Sequence, residues 1–127
     1  MTVVQSEYDL LFGGYTNIGW TSHENQYIED QSAFLFSLTH GVKLPIKTAQ
    51  YSKAVRHHRS LLASFGDGGD LYLYDQLDEN TCNYSYLGNS YELPPGMPQG
   101  AEEARSYLAG AYKFKVKEIE VFRVKQI

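Results

Sequence analysis

Ala33-Phe34-Leu35-Phe36-Ser37-Leu38 is the stretch on which the reading of the fold turns. Phe34, Phe36 and Leu38 share one parity and Ser37 shares the other with Leu35, a two-residue period that predicts a strand with one face on a core. A second strand follows Gly66-Asp67-Gly68-Gly69, where Leu71 and Leu73 alternate with Asp70, Tyr72 and Tyr74. A third runs from Tyr112 to Val124. Phe114 and Val116 oppose Lys113, Lys115 and Lys117, but Ile119 and Val121 are then odd while Phe122 and Val124 are even. That break implies either a bulge near Glu118 or a far half buried on both faces. Upstream, Val3-Val4 and Leu10-Leu11-Phe12 flank Ser6-Glu7-Tyr8-Asp9 and predict a hairpin running into Gly13-Gly14. Paired glycines there permit a positive φ or a close approach of neighbouring backbone. The expected core comprises Phe34, Phe36, Leu38, Leu71, Leu73 and Phe114, with Val116.

Helix signal is sparse. Gly100-Ala101-Glu102-Glu103-Ala104-Arg105 has acids in its first turn but meets Gly110 too soon for more than a turn or two. Arg56 to Ser64 reads as a short helix or as a loop packing Leu61 and Leu62, and Pro94 to Gly100 is a loop by composition. Short strands punctuated by glycine, with almost no amphipathic helix, predict a mainly β fold: an antiparallel two-sheet β-sandwich with a few short helices. A chain of 127 residues, 43% hydrophobic and rich in tyrosine, suits one packed domain over residues 1–127.

The net charge of −4 conceals blocks. Residues 1–30 hold five acids and no Lys or Arg, 31–66 five bases and no acid, 67–104 eight acids and no base, and 105–127 six bases with Glu118 and Glu120. Such blocks either form separate charged patches or neutralise one another across neighbouring strands, and the second reading is the favoured one. Nucleic-acid binding is disfavoured by the acidic whole and the lack of a recognised motif. No apolar run reaches the ~20 residues needed to cross a bilayer, and the N-terminus lacks the pattern of a signal peptide, which predicts a cytoplasmic protein without membrane insertion. The single cysteine, Cys82, excludes an internal disulfide and a multi-cysteine zinc site.

Candidate chemistry is thin. The glycine-rich Phe65 to Asp70 stretch lacks the lysine of a phosphate loop, precedes a strand and carries aspartates, so it reads as a turn. Asp67, Asp70, Asp75, Asp78 and Glu79 do not match a calcium loop, and strand alternation scatters them. Adjacent His57 and His58 diverge instead of sharing a zinc, and an exposed or locally hydrogen-bonded state is expected for them. No G-x-S-x-G elbow is present. Trp20 reads as a core or edge plug. Glu118 and Glu120 would point to the side of Phe114 and Val116 on a regular strand, making them candidate buried carboxylates that accept backbone N–H bonds at a bulge. With no nucleophile, base or metal set to complete a centre, no catalytic residue, cofactor or metal is expected.

An ordered series of motifs spans nearly the whole chain: Leu11-Phe12-Gly13-Gly14-Tyr15-Thr16, Ala33 to Leu38, Phe65-Gly66 with Gly69-Asp70-Leu71, Leu87-Gly88-Asn89-Ser90-Tyr91, Ser106-Tyr107-Leu108-Ala109-Gly110, and Phe114 to Phe122. The series resembles the TLDc domain family, whose members are linked to protection against oxidative stress and, in several cases, to direct binding of the vacuolar-type proton ATPase. The resemblance implies a two-sheet sandwich acting as a non-catalytic protein-interaction module. Alternatives are a structural component of a cytoskeletal or axonemal assembly and, behind it, an antioxidant enzyme built on Cys82. TLDc domains usually carry further elements before the strand that begins at Thr2, so the chain is expected to lack N-terminal elements of the full domain. Thr2, Val3 and Val4 would then form a bared edge that docks a protein partner.

Overall fold

A computed structural model describes residues 1–18, 26–57, 61–74 and 83–122, without the side chains of Leu61 and Leu62. Trp20, His23, His58 and Cys82 lie outside the described residues, as do Asp75, Asp78 and Glu79. Among the described residues no helix is long and apolar enough to cross a membrane.

Two antiparallel sheets form the expected sandwich. The first contains β1 (Thr2–Ser6), β2 (Leu11–Tyr15), β4 (Phe34–Ser37), β5 (Val42–Pro45) and β11 (Val116–Val121), ordered β11-β1-β2-β4-β5. The second contains β3 (Gln26–Ile28), β6 (Val55–His57), β7 (Leu61–Phe65), β8 (Leu71–Tyr74), β9 (Asn83–Tyr84) and β10 (Lys113–Phe114), ordered β10-β9-β8-β7-β6-β3. The β1–β2 hairpin forms as the sequence predicts, turning at Asp9 with φ 63°. One helix, α1 (Glu102–Ser106), occupies the expected acid-led turn. The described residues of the Arg56 to Ser64 stretch are strand, not helix: Val55–His57 and Leu61–Phe65 are neighbours, because Val55 and Phe65 pair across them and both enter the core. The 3₁₀ turn Thr48–Lys53 carries no strong sequence signal.

Faces of the sheets come together on Val4, Phe12, Leu35, Phe65, Leu71 and Leu73, all fully buried, with Phe114 meeting Phe12 edge-on at 5.4 Å. The parity of β4 is the reverse of the expected one. Leu35 points inward, whereas Phe34 and Phe36 lie on the outer face and Leu38 is 57% exposed. Period-two reasoning fails here because both parities are apolar, so the pattern alone does not identify the core side. Phe36 stays dry on the outside since its ring covers Gly13, its cross-strand partner, while Phe34 stacks on Tyr15 at 5.2 Å beneath the ammonium of Lys43. Gly14 faces the other way. A Cβ there would come within 2.5 Å of the Phe65 ring from the opposite sheet, so the absent side chain sets how closely the sheets approach. Neither glycine has positive φ, and close approach is the reason for both.

The final strand region divides between the layers. Lys113–Phe114 closes the second sheet and Val116–Val121 joins the first, and a bulge at Gln5/Ser6 leaves Lys117 without a partner in the register. This bulge produces the parity break seen in the sequence.

Gly14→Ala is expected to lower stability by about 1–3 kcal/mol in urea denaturation, through overpacking against Phe65. In the Gly14→Ala, Phe65→Leu double variant the two losses should sum to at least about 0.5 kcal/mol more than the measured one, since the smaller side chain vacates the clashing volume. Strict additivity would show that Gly14 and Phe65 do not meet.

Candidate functional site

Thr2, Val3 and Val4 do not form an edge. β1 pairs with β2 on one side and β11 on the other, which uses both rows of its backbone groups, and Thr2 and Val4 are buried. The described strand at that side of the sheet is β11. Glu118 and Glu120 are likewise not buried: the bulge rotates them to the outer face, where their register partners are Gln5 and Val3, and both are exposed. With Leu11 and Ile119 they line a shallow depression on the first sheet. Cross-strand neutralisation is small, one ion pair, Lys117 to Asp9 at 2.9 Å, being made among the described residues. His57 is buried in β6, not exposed, and burial lowers its pKa.

The buried carboxylate is instead Asp70. Gly66, Gly68 and Gly69, with φ of 88°, 90° and 85°, make the turn that delivers it to the start of β8. It accepts from the backbone N–H of Gly88 (3.1 Å), Asn89 (3.1 Å), Ser90 (2.9 Å) and Tyr91 (3.0 Å). Burial pushes its pKa up to about 6, against the pull of those four donors. The clasped loop reaches the first sheet through the bridge between Tyr91 and Ile46, and Tyr91 donates its hydroxyl to Ala54 O at 2.6 Å. Lys47 reaches back to Gly88 O at 2.6 Å. Asp30 makes a smaller clasp, accepting from Thr16 and Ser32 hydroxyls at 2.6 Å and from Asn17 N–H at 2.8 Å. Burial alone would raise its pKa, but these bonds, led by Ser32 and Thr16, lower it. Both aspartates are committed to backbone and hydroxyl donors.

The distinctive surface is the outer face of the second sheet. Tyr72 and Tyr84 are register partners with ring centroids 5.1 Å apart, Tyr84 lies 5.7 Å from Tyr112, and Tyr112 lies 6.1 Å from Tyr86. At the opposite edge Tyr27 donates to Asp67 at 3.1 Å and carries the Lys53 ammonium over its ring at 4.3 Å. Arg56 connects the halves, donating to the Tyr72 hydroxyl at 3.3 Å and lying 5.7 Å from the Tyr27 centroid. Arg105 covers Tyr112 at 5.4 Å. Burial first, then neighbouring phenols, pushes the Tyr84 hydroxyl up to about 12 and keeps it neutral. Beneath the row, Ser64 pairs with Tyr72 in the register and its hydroxyl is buried with no hydrogen-bond partner among the described residues. Tyrosines at alternate positions signal this row in β8, but Tyr27, Tyr84, Tyr86 and Tyr112 come from separate elements that only pairing aligns.

A family model described as the TLDc domain matches residues 1–125. No curated protein and no solved structure matches the chain.

The Asp70 clasp has a pH signature. A folded-state pKa near 6, above the ordinary 3.8, means that the folded chain binds more protons between these values. This group's contribution is therefore full below about pH 4 and falls by up to about 3 kcal/mol as pH rises through 6. Asp70→Ala, which strips four buried N–H groups of their acceptor, is expected to cost about 4 kcal/mol or more at pH 5 in urea titrations. Its gap from the parent chain should narrow toward pH 7. A gap that widens with pH would show that the carboxyl is not held up by burial.

Proposed function

The chain belongs to the TLDc domain family, and on that footing we propose that it is a non-catalytic protein-interaction module whose docking face is the tyrosine-rich outer face of the second sheet. The observation that carries this reading is the unbroken run of rings and cations from Lys53 and Tyr27 through Arg56, Tyr72 and Tyr84 to Tyr112 and Arg105. Tyrosine and arginine dominate the energetically important positions of protein interfaces, because both offer large contact area and a polar tip at modest entropic cost. Rings already held against one another and against cations have little freedom left to lose on docking.

The partner we propose is a vacuolar-type proton ATPase, engaged from the cytoplasm, as the family's known associations suggest. Protection against oxidative stress then follows from holding that partner in one state, not from turning over an oxidant.

Affinity capture with the tagged chain from native cells, followed by mass spectrometry, tests the reading. ATPase subunits are expected with the parent chain and should fall roughly tenfold or more with Tyr86→Ala plus Tyr112→Ala, about 1.4 kcal/mol per decade. The variant's melting temperature should stay close to the parent's. Equal recovery by both chains would remove this face from the interaction, and peroxide turnover by the purified chain, abolished by Cys82→Ser, would make it an enzyme.

A further inference from the structure

We infer that this face receives an extended acidic segment of a protein partner, about seven residues long, with one carboxylate seated on Arg105. The inference rests on the docking reading above and adds the chemistry of what docks. Lys53, Arg56, Lys113 and Arg105 all lie on the face, Lys113 as the register partner of Tyr84. The described acids beside them are Asp67, already bonded to Tyr27, and Glu102. Among the described residues of this face, cations outnumber acids on a chain of net charge −4. Among charged partners it attracts carboxylates and repels amines.

Arg105 supplies the specific feature. Its Nε is buried and has no hydrogen-bond partner among the described residues, although Glu102 is three positions away on the same helix. It lines a depression with Glu102, Ser106, Gly110, Ala111 and Tyr112, at the end of the row of rings. The terminal nitrogens of a guanidinium form an edge that a carboxylate matches with two parallel bonds, and that of Arg105 lies 5.4 Å from the Tyr112 centroid.

The geometry sets the length. The face crosses six strands, and five spacings of about 4.8 Å give a span of roughly 24 Å. An extended chain advances about 3.3 Å per residue and covers that distance in about seven residues. Alternating side chains place carboxylates over the cations and aliphatic stems over the intervening rings.

Fluorescence anisotropy of a labelled seven-residue peptide alternating Glu and Leu, titrated with the full chain, tests the inference. Binding should weaken at least tenfold when Gln replaces Glu, vanish when Lys replaces it, and weaken as salt rises from roughly 50 to roughly 200 mM. Arg105→Gln should cost about tenfold and Arg105→Lys less, because charge survives without the fork. Lys43→Gln, on the outer face of the first sheet, should cost nothing. Arg105→Lys decides the matter if Arg105→Gln fails to fold. Equal binding of the Gln peptide overturns the inference, as does competition by a single-stranded oligonucleotide of equal charge that matches the Glu peptide. If the Glu peptide fails to bind while Tyr86→Ala plus Tyr112→Ala still abolishes partner capture, the acidic segment is wrong and the docking face stands.

Discussion

One carboxylate holds the two layers in register. Asp70 is fully buried and is met by four consecutive backbone N–H groups, so the loop from Gly88 to Tyr91 wraps around it. An extended loop with four inward donors could not be buried without an acceptor of that capacity, and an ionised carboxylate has it. The clasped loop then does work elsewhere: Tyr91 fills the core against Phe65 and ties to Ala54, while Lys47 N–H bonds Ser90 O and Glu92 N–H bonds Pro45 O. The acid at the start of a strand in the second sheet thereby fixes the edge of the first.

Two absences of side chain complement that lock. Gly14 lets the Phe65 ring rest on the backbone of β2, and Gly13, one residue earlier, lets Phe36 cover the opposite face. The same strand is thus thinned on both sides, which draws Phe65 inward and gives an outward phenylalanine a dry seat. Glycine within a strand usually weakens it, but here the rings supply the contacts that the missing Cβ atoms would have made.

With the interior and its clasps accounted for, the outer faces differ in character. The first sheet presents Leu11, Glu118 and Glu120 around a shallow depression. The second carries tilted and edge-on tyrosine pairs, with Lys53 and Arg56 over Tyr27 and Arg105 over Tyr112. Among the described residues the second sheet's outer face gathers cations, and one ion pair, Lys117 to Asp9, joins opposite charges. A chain with this partition is suited to recognising shape and charge on another protein, which agrees with the interaction module proposed for this TLDc domain.

The sequence by itself determined the class of fold, the β1–β2 hairpin, the acid-led helix and the glycine turn before β8, because each is written in local period or turn chemistry, and it left a bulge in the last strand region as one of two readings. It also carried the family, since Gly69-Asp70-Leu71 and Leu87 to Tyr91 stand in the right order. What it could not contain was their relation: that these two motifs are the halves of one clasp follows from a contact across about twenty positions. Tertiary structure alone decided which parity of Ala33 to Leu38 faces inward, because both parities are apolar. It turned Glu118 and Glu120 outward through one unpaired residue, since a shift of one position reverses every side chain beyond it. It also gave Thr2 to Val4 a neighbour on each side and brought tyrosines from four separate places onto one face, because strand pairing sets distances between residues that the order along the chain leaves free.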